Sequence, residues 1–526
     1  MKTTFSLSLL IFIISIFILP CILQAQPGSL DLSFGTGGKV TTSFSNGDDT
    51  GSDVAIQPDG KIILAGTDTN NTEFALVRYN SDGSLDNLFG TGGKVRTDVR
   101  QWNDYGKALA ILSSGKILVG GSSTNGLFTE FALVRYNNDG GLDNTFGTGG
   151  IAFADVGPAE DQAYAMAVQD DDKIVLAGSS FIYNGVANTR DFSVARFNSD
   201  GSLDNTFGTG GKVITPVGTS DEVVYSMAIQ ADGKIIVAGG SSGPSPDFIS
   251  SFALARYNSN GSLDNTFGSG GILVMPLSNL YSTADAVALQ TDGQILVAGS
   301  TRIDADTFAF SVVRLNDNGS FDNTFGTNGV VFTTFASTHN FCFGMALQDD
   351  EKIILSGRMH TGISPNQMDF AVARYNTNGS LDNTFGTDGK VTTHMGWPED
   401  TGYSIAVQTD GKIVVGGAGV NGGVDSDFAI ARYNGDGTVD AFDASTTLSM
   451  TTIYPNPVKG KLTIENGQWI IAQVKIYNAQ GELLFVQQIS GNTTTLNVSN
   501  FASGVYFVQI DDGIKAYSSK IIISNL

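Results

Sequence analysis

The chain repeats one pattern of apolar and polar positions, and a single copy of it predicts four short β-strands. In the first copy, residues 54–57 form a short strand, and the Asp-Gly pair of Pro58-Asp59-Gly60 is typical of a tight hairpin turn. Residues 61–66 are continuously apolar, as expected for a strand buried on both faces. Third and fourth strands are predicted at residues 74–80 and 94–97, and no segment shows a helical period.

The pattern occurs seven times, and the copies are arranged as in a closed ring. The glycine-rich segment that ends a copy appears first at residues 34–40, before the first full repeat, whereas the last repeat, ending near Asp440, lacks one. A ring explains this displacement because an N-terminal strand can complete the last sheet. We therefore predict an all-β, seven-bladed β-propeller closed by its N-terminal strand, with residues 39–44 pairing with residues 428–434.

Each predicted second strand ends in a small residue followed by glycine. The seven glycines are Gly66, Gly121, Gly178, Gly239, Gly299, Gly357 and Gly417. Glycine within a strand often marks a place where another backbone approaches closely. We interpret these glycines as a consequence of strands crowding together near the axis of the ring.

Two positions of opposite charge recur in the repeats. The third strand carries an arginine in every copy: Arg78, Arg135, Arg196, Arg256, Arg314, Arg374 and Arg432. The following loop carries an aspartate: Asp86, Asp143, Asp204, Asp264, Asp322, Asp382 and Asp440, with Asp31 as the N-terminal copy. Because a buried unpaired charge is costly, we hypothesise that each arginine pairs with an aspartate and pins the loop. The alternative is that each aspartate only caps its own turn through backbone amides.

The repeat resembles the delta-60 repeat family of bacterial surface and secreted proteins. The motifs that carry this resemblance are "QPDGKIILAG", "FALVRYNSDGSLDNTFG" and "GTGGKV", and it covers roughly residues 28–440. The resemblance implies a β-propeller architecture and leaves the ligand open.

The connections between strands divide into a uniform and a variable set. Turns between first and second strands and loops between third and fourth strands are nearly identical in all copies and share one end of the ring, here called the uniform face. The other connections vary freely and share the opposite end, the variable face, which is where binding usually resides on a rigid scaffold. Unusual side chains collect there: Trp102, Tyr105, Tyr183, Arg190, Tyr281, Arg302, Arg358 and Trp397.

All three histidines also fall in variable segments, around the sixth repeat. They are His339, His360 and His394, and the last lies near Trp397, Glu399 and Asp400. Such a group could form a metal site or an aromatic platform for sugars. The third reading, three unrelated surface histidines, is the one we adopt, so no metal ligand is predicted.

Charge and targeting signals exclude some partners and indicate export. The formal net charge of -23 argues against nucleic acid or an anionic membrane as a partner. Residues 1–25 have a short apolar run after Lys2 and predict a secretory signal peptide. The mature chain then keeps a single cysteine, Cys342, so no intramolecular disulfide is expected, and we expect a monomer.

Other chemistry finds little support. The run "FGTGGKV" lacks the spacing of a phosphate-binding loop and leads into a strand. Asn80, Asp82 and Asp86 offer oxygens, but no bidentate glutamate follows, so we predict no cofactor, with calcium as the alternative. No serine or cysteine nucleophile lies in a recognisable elbow, so we assign no catalytic residue. Paired carboxylates remain an open alternative, because spacing in sequence does not give separation in space.

A second domain follows the repeats. Residues 443–449 form a polar linker, and six or seven short strands within residues 450–526 predict a small immunoglobulin-like β-sandwich. This segment resembles the type A sorting domain of the type IX secretion system. The motif consists of Tyr454, Pro455, Asn456 and Pro457, then Gly504 and Tyr506, and Lys520 in the last strand. The resemblance implies passage through a secretion translocon and cleavage by a C-terminal signal peptidase.

Together these features predict a protein at the cell surface or outside the cell. The propeller, residues 27–442, is expected to act as a non-catalytic binding or adhesion module for an extracellular ligand, either glycan or protein. Ligand-contact candidates are Trp102, Tyr105, Tyr183, His339, His360, His394 and Trp397. The alternative is an extracellular polysaccharide hydrolase or lyase that uses the variable face.

Overall fold

A computed structural model of the chain describes two compact units, Gln26–Asp436 and a C-terminal unit from Thr451 onward. The residues described are 26–44, 47–70, 72–183, 188–243, 249–335, 339–362, 367–396, 399–420, 425–436, 451–456, 458–466, 471–478, 483–490, 493–511 and 516–524. The predicted signal peptide, the linker, Trp397, Asp440 and Pro457 lie outside them.

The first unit consists of seven four-stranded antiparallel sheets, which are the blades of a propeller. Blade 1 contains β2 (Asp49–Ile56), β3 (Ile62–Asp68), β4 (Glu73–Tyr79) and β5 (Lys94–Thr97); blade 2 contains β6 (Asp104–Ile111), β7 (Ile117–Thr124), β8 (Thr129–Tyr136) and β9 (Ile151–Ala154). Blade 3 contains β10 (Asp161–Val168), β11 (Ile174–Tyr183), β12 (Asn188–Phe197) and β13 (Lys212–Thr215); blade 4 contains β14 (Glu222–Ile229), β15 (Ile235–Ser242), β16 (Ser250–Tyr257) and β17 (Ile272–Met275). Blade 5 contains β18 (Ser282–Leu289), β19 (Ile295–Arg302), β20 (Phe308–Leu315) and β21 (Val330–Thr333); blade 6 contains β22 (Asn340–Leu347), β23 (Ile353–His360), β24 (Met368–Tyr375) and β25 (Lys390–Thr393). Blade 7 contains β26 (Thr401–Val407), β27 (Ile413–Val420), β28 (Ser426–Tyr433) and β1 (Lys39–Thr42).

The ring closes as the sequence predicts. The N-terminal strand β1 pairs antiparallel with β28, from Lys39 opposite Ala431 to Thr42 opposite Phe428. The first strands of neighbouring blades contact one another around the whole ring, including β26 against β2, so these strands lie nearest the axis. The described residues contain no helix long and apolar enough to span a membrane. The prediction of an all-β, seven-bladed propeller is confirmed.

The first strand of each blade is longer than its apolar pattern suggests. In blade 1 it runs from Asp49 rather than from residue 54, and Asp49 is completely buried. Residues 49–53 of blade 1 are polar or glycine, so a prediction based on hydrophobicity places the start of this strand too late. Each first strand also contains a register shift against its neighbour, between Gly51 and Asp53 in blade 1.

This register shift gives a reason for the glycines of the second strands in addition to the predicted crowding of strands near the axis. A Cβ placed on Gly66 would lie 1.9 Å from the carbonyl oxygen of Thr50 in the adjacent first strand. The equivalent distance is 1.8 or 1.9 Å in all seven blades. A β-bulge bends the first strand and brings its backbone against the second. Glycine is therefore required within each blade. The neighbouring blade also approaches closely, since a Cβ on Gly106 would lie 2.4 Å from the Gly66 carbonyl oxygen.

The arginines of the third strands bind the predicted aspartates. The Arg78 Nε atom lies 2.9 Å from Asp86 Oδ2. The arginine and aspartate of every other blade lie 2.7 to 2.9 Å apart, with Nη2 making the contact in Arg374 and Asp31 as the partner of Arg432. The other oxygen of the aspartate caps the turn, since Asp86 Oδ1 accepts a hydrogen bond from the Leu88 amide at 3.1 Å. The two hypotheses for these aspartates are thus both correct, each for one oxygen.

Each pinned arginine also connects two blades and stacks on a phenylalanine. Arg432 Nη1 donates to the carbonyl oxygen of Ser81 in blade 1 at 2.6 Å, which joins the last blade to the first. The guanidinium groups lie over phenylalanine rings at 4.4 to 4.7 Å in all seven blades, the range of a cation–π interaction. Lys61, at the turn between the first two strands, approaches Asp86 at 3.3 Å. These contacts hold the uniform face together.

The C-terminal unit is a two-sheet sandwich. One sheet contains β29 (Thr451–Tyr454), β30 (Lys461–Asn466) and β33 (Thr493–Asn497); the other contains β31 (Ile471–Asn478), β32 (Leu483–Ser490), β34 (Gly504–Asp511) and β35 (Ala516–Ile523). Alternate apolar residues such as Ile464, Val474, Val508 and Ile521 form its core. This arrangement fits the predicted immunoglobulin-like sandwich.

The sorting-motif residues lie on this framework. The Tyr454 hydroxyl donates to Glu465 Oε1 at 2.6 Å, and Asn456 Oδ1 accepts from the Ile522 amide at 2.8 Å. Tyr506 is buried and donates to the Ala502 carbonyl oxygen. Gly504 begins β34, and Lys520 is paired in β35 opposite Phe507.

Candidate functional site

The variable face carries an aromatic and cationic cluster on blades 5 and 6. It consists of Tyr281, Arg302, Phe308, His339, Phe341, Arg358 and His360, and we call it the blade 5–6 patch. Phe308 is its centre: the Phe341 ring lies 4.8 Å away, and the Tyr281 and His339 rings each lie 5.9 Å away. His339 is also 5.9 Å from His360. These side chains come from four strands and two connections, yet they form one continuous half-buried surface.

Two arginines of the patch lie over its aromatic rings, and one of them, Arg302, has an acidic neighbour in Asp304. Arg302 lies over Phe308 at 5.9 Å and Arg358 over Phe341 at 5.3 Å. The Nε atom of each is inaccessible to solvent and has no hydrogen-bond acceptor, and neither residue forms an ion pair among the described residues. Arg358 Nη1 makes only a long contact, 3.4 Å, to Thr401 Oγ1. In a chain with a net charge of -23, two guanidinium groups thus lie over neighbouring aromatic rings of this face.

Comparison of the blades shows that these arginines are additions to the repeat. The residues equivalent to Arg358, which follows the second-strand glycine, are Thr67, Ser122, Ser179, Gly240, Ser300 and Ala418. Several of these small residues bind the next blade, as where the Cys342 amide donates to Ser300 Oγ at 3.0 Å. Blade 6 thus has a long cationic side chain at a position where the other blades have small residues, and this side chain reaches Thr401 of blade 7.

The patch continues toward the axis through the bulges of the first strands. The residues at the bulges are Ser52, Lys107, Tyr164, Tyr225, Asp285, Phe343 and Tyr403. Arg358 lies 5.7 Å from the Phe343 ring, which lies 5.3 Å from Tyr403. Burial raises the pKa of Asp285 well above its ordinary value, which favours its neutral form.

The other predicted contact residues lie elsewhere. Trp102 and Tyr105 are exposed in blade 2, where Trp102 lines a depression with Asp98, Arg100 and Asn125. Tyr183 is exposed at the tip of β11. His394 lies at the junction of blades 6 and 7, where its Nδ1 atom is 2.9 Å from Asp369 Oδ1. The structure thus joins His339 and His360 but separates both from His394.

Phe308 and Phe341 are absent from the predicted set. Apolar residues within strands are normally read as core, and only comparison of the blades could have marked them. The residues equivalent to Phe341 are Thr50, Tyr105, Gln162, Val223, Thr283 and Thr401, most of them polar.

The variable face has a second repeated feature that we did not predict from the sequence. A completely buried polar residue begins or immediately precedes each first strand: Asp49, Asp104, Asp161, Glu222, Ser282, Asn340 and Asp400. Where the residue is an acid or asparagine, its side chain accepts from the backbone amide five residues earlier, at 2.7 Å for Asp104 and Val99. These side chains fold the connection between blades into a fixed turn.

One of these buried residues, Glu222, is expected to make the free energy of unfolding depend on pH. Burial, with the adjacent Asp191 carboxylate, raises the pKa of Glu222 from 4.5 to about 7. The folded state therefore binds a proton that the unfolded chain releases, and this stabilisation is fully present below 4.5 and is lost as the pH rises through about 7. We expect Glu222→Gln to reduce the gain in unfolding free energy between about pH 8 and about pH 5.5, measured by urea denaturation. The exposed acid variant Glu160→Gln should keep the wild-type gain, and an equal gain in both variants would contradict the assignment.

Comparison with known proteins identifies both units. The model of the domain of unknown function DUF5122, described as a β-propeller, matches residues 57–89, 112–146, 169–207, 230–267, 290–325, 348–385 and 408–442. The model of the secretion system C-terminal sorting domain matches residues 452–524. No curated protein matches the chain.

Solved structures resemble the chain only distantly. A protein of unknown function from Dyadobacter fermentans is 12% identical with a TM-score of 0.40, over 76% of this chain and 98% of that one. An ulvan lyase is 14% identical with a TM-score of 0.43, over 76% of this chain and 96% of that one. An endo-arabinase from Bacteroides thetaiotaomicron is 12% identical with a TM-score of 0.27, over 57% of this chain and 97% of that one.

Proposed function

Because this chain is a seven-repeat DUF5122 β-propeller protein with a type IX sorting domain, and hence a secreted or cell-surface protein, we propose that its propeller is a non-catalytic binding module. The sorting domain implies interaction with the type IX secretion machinery. We propose in addition that a C-terminal signal peptidase removes this domain after export. The propeller would then act outside the cell as a binding or adhesion module.

The observation that supports binding is the blade 5–6 patch. Aromatic rings provide apolar faces on which sugar rings stack, and Phe308, Phe341 and Tyr281 form such a platform. Arg302 and Arg358 border the platform with positive charge, and Arg358 forms no ion pair among the described residues. Guanidinium groups bind carboxylate and sulfate oxygens through paired, charge-assisted hydrogen bonds. An acidic polysaccharide therefore fits this surface better than a neutral one.

A binding measurement on one arginine tests the proposal. We expect the purified protein to bind acidic polysaccharides on a glycan array, and Arg358→Ala to weaken this binding about tenfold or more, as for the loss of a charge-assisted hydrogen bond worth about 1.5–3 kcal/mol. Arg190→Ala is the matched control, because Arg190 lies on the same face but approaches Glu160 at 3.5 Å. Equal affinity in the Arg358 variant, or exclusive binding of neutral glycans, would contradict the assignment.

One observation favours a second candidate, an extracellular polysaccharide hydrolase or lyase. Burial raises the pKa values of Asp285, Tyr225 and Tyr281, and these groups lie near one another beside the patch. Perturbed titratable groups that converge in one place are characteristic of active sites. If the protein released new chain ends from an acidic polysaccharide and Asp285→Asn abolished this release, the propeller would be an enzyme rather than a binding module.

A further inference from the structure

Three side chains converge at the junction of blades 6 and 7, apart from the blade 5–6 patch. They are Asp369 in β24, His394 just after β25 and Asp400 just before β26. His394 Nδ1 lies 2.9 Å from Asp369 Oδ1 and 3.5 Å from Asp400 Oδ2. One nitrogen and two carboxylate oxygens thus lie within 4.8 Å of one another.

Each of the three groups is held in place by the fold. Asp400 is completely buried, and its Oδ2 atom accepts from the Met395 amide at 2.7 Å and the Gly396 amide at 3.2 Å. The His394 carbonyl oxygen accepts from Lys39 Nζ at 2.9 Å, which fixes the backbone beside the imidazole. Asp369 is paired in β24 opposite Met359. The imidazole itself is about half exposed, so a small ion can reach the cluster from solvent.

The other blade junctions show which part of this cluster is additional. Acids also occupy both carboxylate positions at four of them, as in Asp427 and Asp49 between blades 7 and 1. The residues equivalent to His394 are Ser43, Asp98, Asp155, Pro216, Pro276 and Thr334. The carboxylate pair is therefore a common feature of the ring, whereas the nitrogen ligand is present at this junction alone among the described residues.

We propose that Asp369, His394 and Asp400 bind a divalent first-row transition metal, for which zinc is the probe. Bonds of about 2.0–2.2 Å to nitrogen and oxygen in a tetrahedral site place neighbouring ligand atoms about 3.3 Å apart, close to both measured separations. Calcium takes six to eight oxygen ligands and is less suited to an imidazole. The fourth position is left for water. The ion would neutralise two neighbouring carboxylates and link the third strand of blade 6 to the start of blade 7.

Calorimetric titration of the metal-stripped full chain with zinc tests the site. We expect one tight site per chain and a rise in the melting temperature on zinc addition. His394→Ala and Asp369→Asn should each weaken binding at least tenfold and remove the rise. Asp427→Asn is the matched control, since Asp427 holds the equivalent position at a junction that has Ser43 in place of histidine.

Cobalt substitution and histidine variants give further tests of this metal site. Cobalt substitution of the unaltered protein should give intense visible absorption typical of tetrahedral nitrogen and oxygen ligation, which needs no variant. Undiminished zinc affinity in His394→Ala would overturn the proposal. So would a site that is lost in the double variant His339→Ala and His360→Ala but kept in His394→Ala, or binding of calcium in preference to zinc.

Discussion

Replacing Gly178 by alanine is expected to destabilise the propeller more than any single substitution on its surface. A Cβ at this position would lie 1.8 Å from the Gln162 carbonyl oxygen, 2.7 Å from the carbon of that carbonyl and 2.8 Å from the Ala163 Cα atom. All three are backbone atoms, so no side chain can move aside, and either the bulge or the pairing of β10 with β11 must be lost. Overpacking costs about 1–3 kcal/mol where side chains can adjust, and we expect at least the upper end of that range here. Urea denaturation followed by fluorescence measures the loss.

The repeat itself supplies the control for this glycine. Gly141 holds a turn position at which five other repeats have serine, namely Ser84, Ser202, Ser262, Ser320 and Ser380. In those repeats the serine hydroxyl donates to the side-chain oxygen of the preceding aspartate or asparagine, as Ser202 does to Asp200 at 2.7 Å. Gly141→Ser should therefore be neutral or stabilising. A loss in Gly178→Ala no greater than in Gly141→Ser would show that the bulge can relax and would remove the explanation for all seven glycines.

The closure of the ring could be predicted from the sequence, whereas the β-bulge of each first strand could not. The position of residues 34–40 ahead of the first repeat predicted the closure by β1, because chain order alone distinguishes a ring from an open array. A bulge, however, shifts register by one residue, between Gly51 and Asp53 for example, and leaves the apolar pattern of β3 unchanged. The sequence shows the recurring glycines but not the bulge that requires them, because the apolar pattern of the first strand begins only at residue 54.

The residues of the blade 5–6 patch were likewise only partly recognisable from the sequence. Arg302 and Arg358 stood out in the sequence because they interrupt segments that are otherwise small and polar. Phe308 and Phe341 did not, because an apolar residue in a strand is normally core. Trp102 precedes blade 2 and His339 precedes blade 6, so the repeats already assign them to different parts of the ring, whereas the contact of His339 with Phe308 depends on how blades 5 and 6 pack. The contact roles assigned to Trp102, Tyr105, Tyr183 and Trp397 stay predictions.

Arg256→Met is expected to give the second large effect, a loss of about 3–5 kcal/mol, because it removes the arginine from a buried ion pair and leaves the Asp264 carboxylate with Thr266 and Lys234 alone. Arg256 is 1% exposed and lies 2.9 Å from Asp264 Oδ2 and 4.7 Å from the Phe267 ring. Its other nitrogen, Nη1, donates to the Asp317 carbonyl oxygen in the next blade at 2.6 Å. The substitution therefore removes the loop pin, the cation–π contact and a link between blades 4 and 5 together.

The same variant should be more sensitive to acid. Burial favours the neutral form of Asp264, but hydrogen bonds from Thr266 and the charges of Arg256 and Lys234 outweigh it and lower the pKa to about 2. The stability linked to this shift is present above the ordinary value of 3.8 and is lost as the pH falls toward 2. Without Arg256 the pKa of Asp264 in the folded state rises, so acid unfolding should begin at a higher pH.

Asp232→Asn is the control, because it removes a half-exposed partner of Lys234 and should cost less than about 1 kcal/mol. Adding Asp264→Asn to Arg256→Met should recover part of the loss, since asparagine still caps the turn and carries no charge. An additive double variant would mean that the arginine acts through packing on Phe267 rather than through the ion pair.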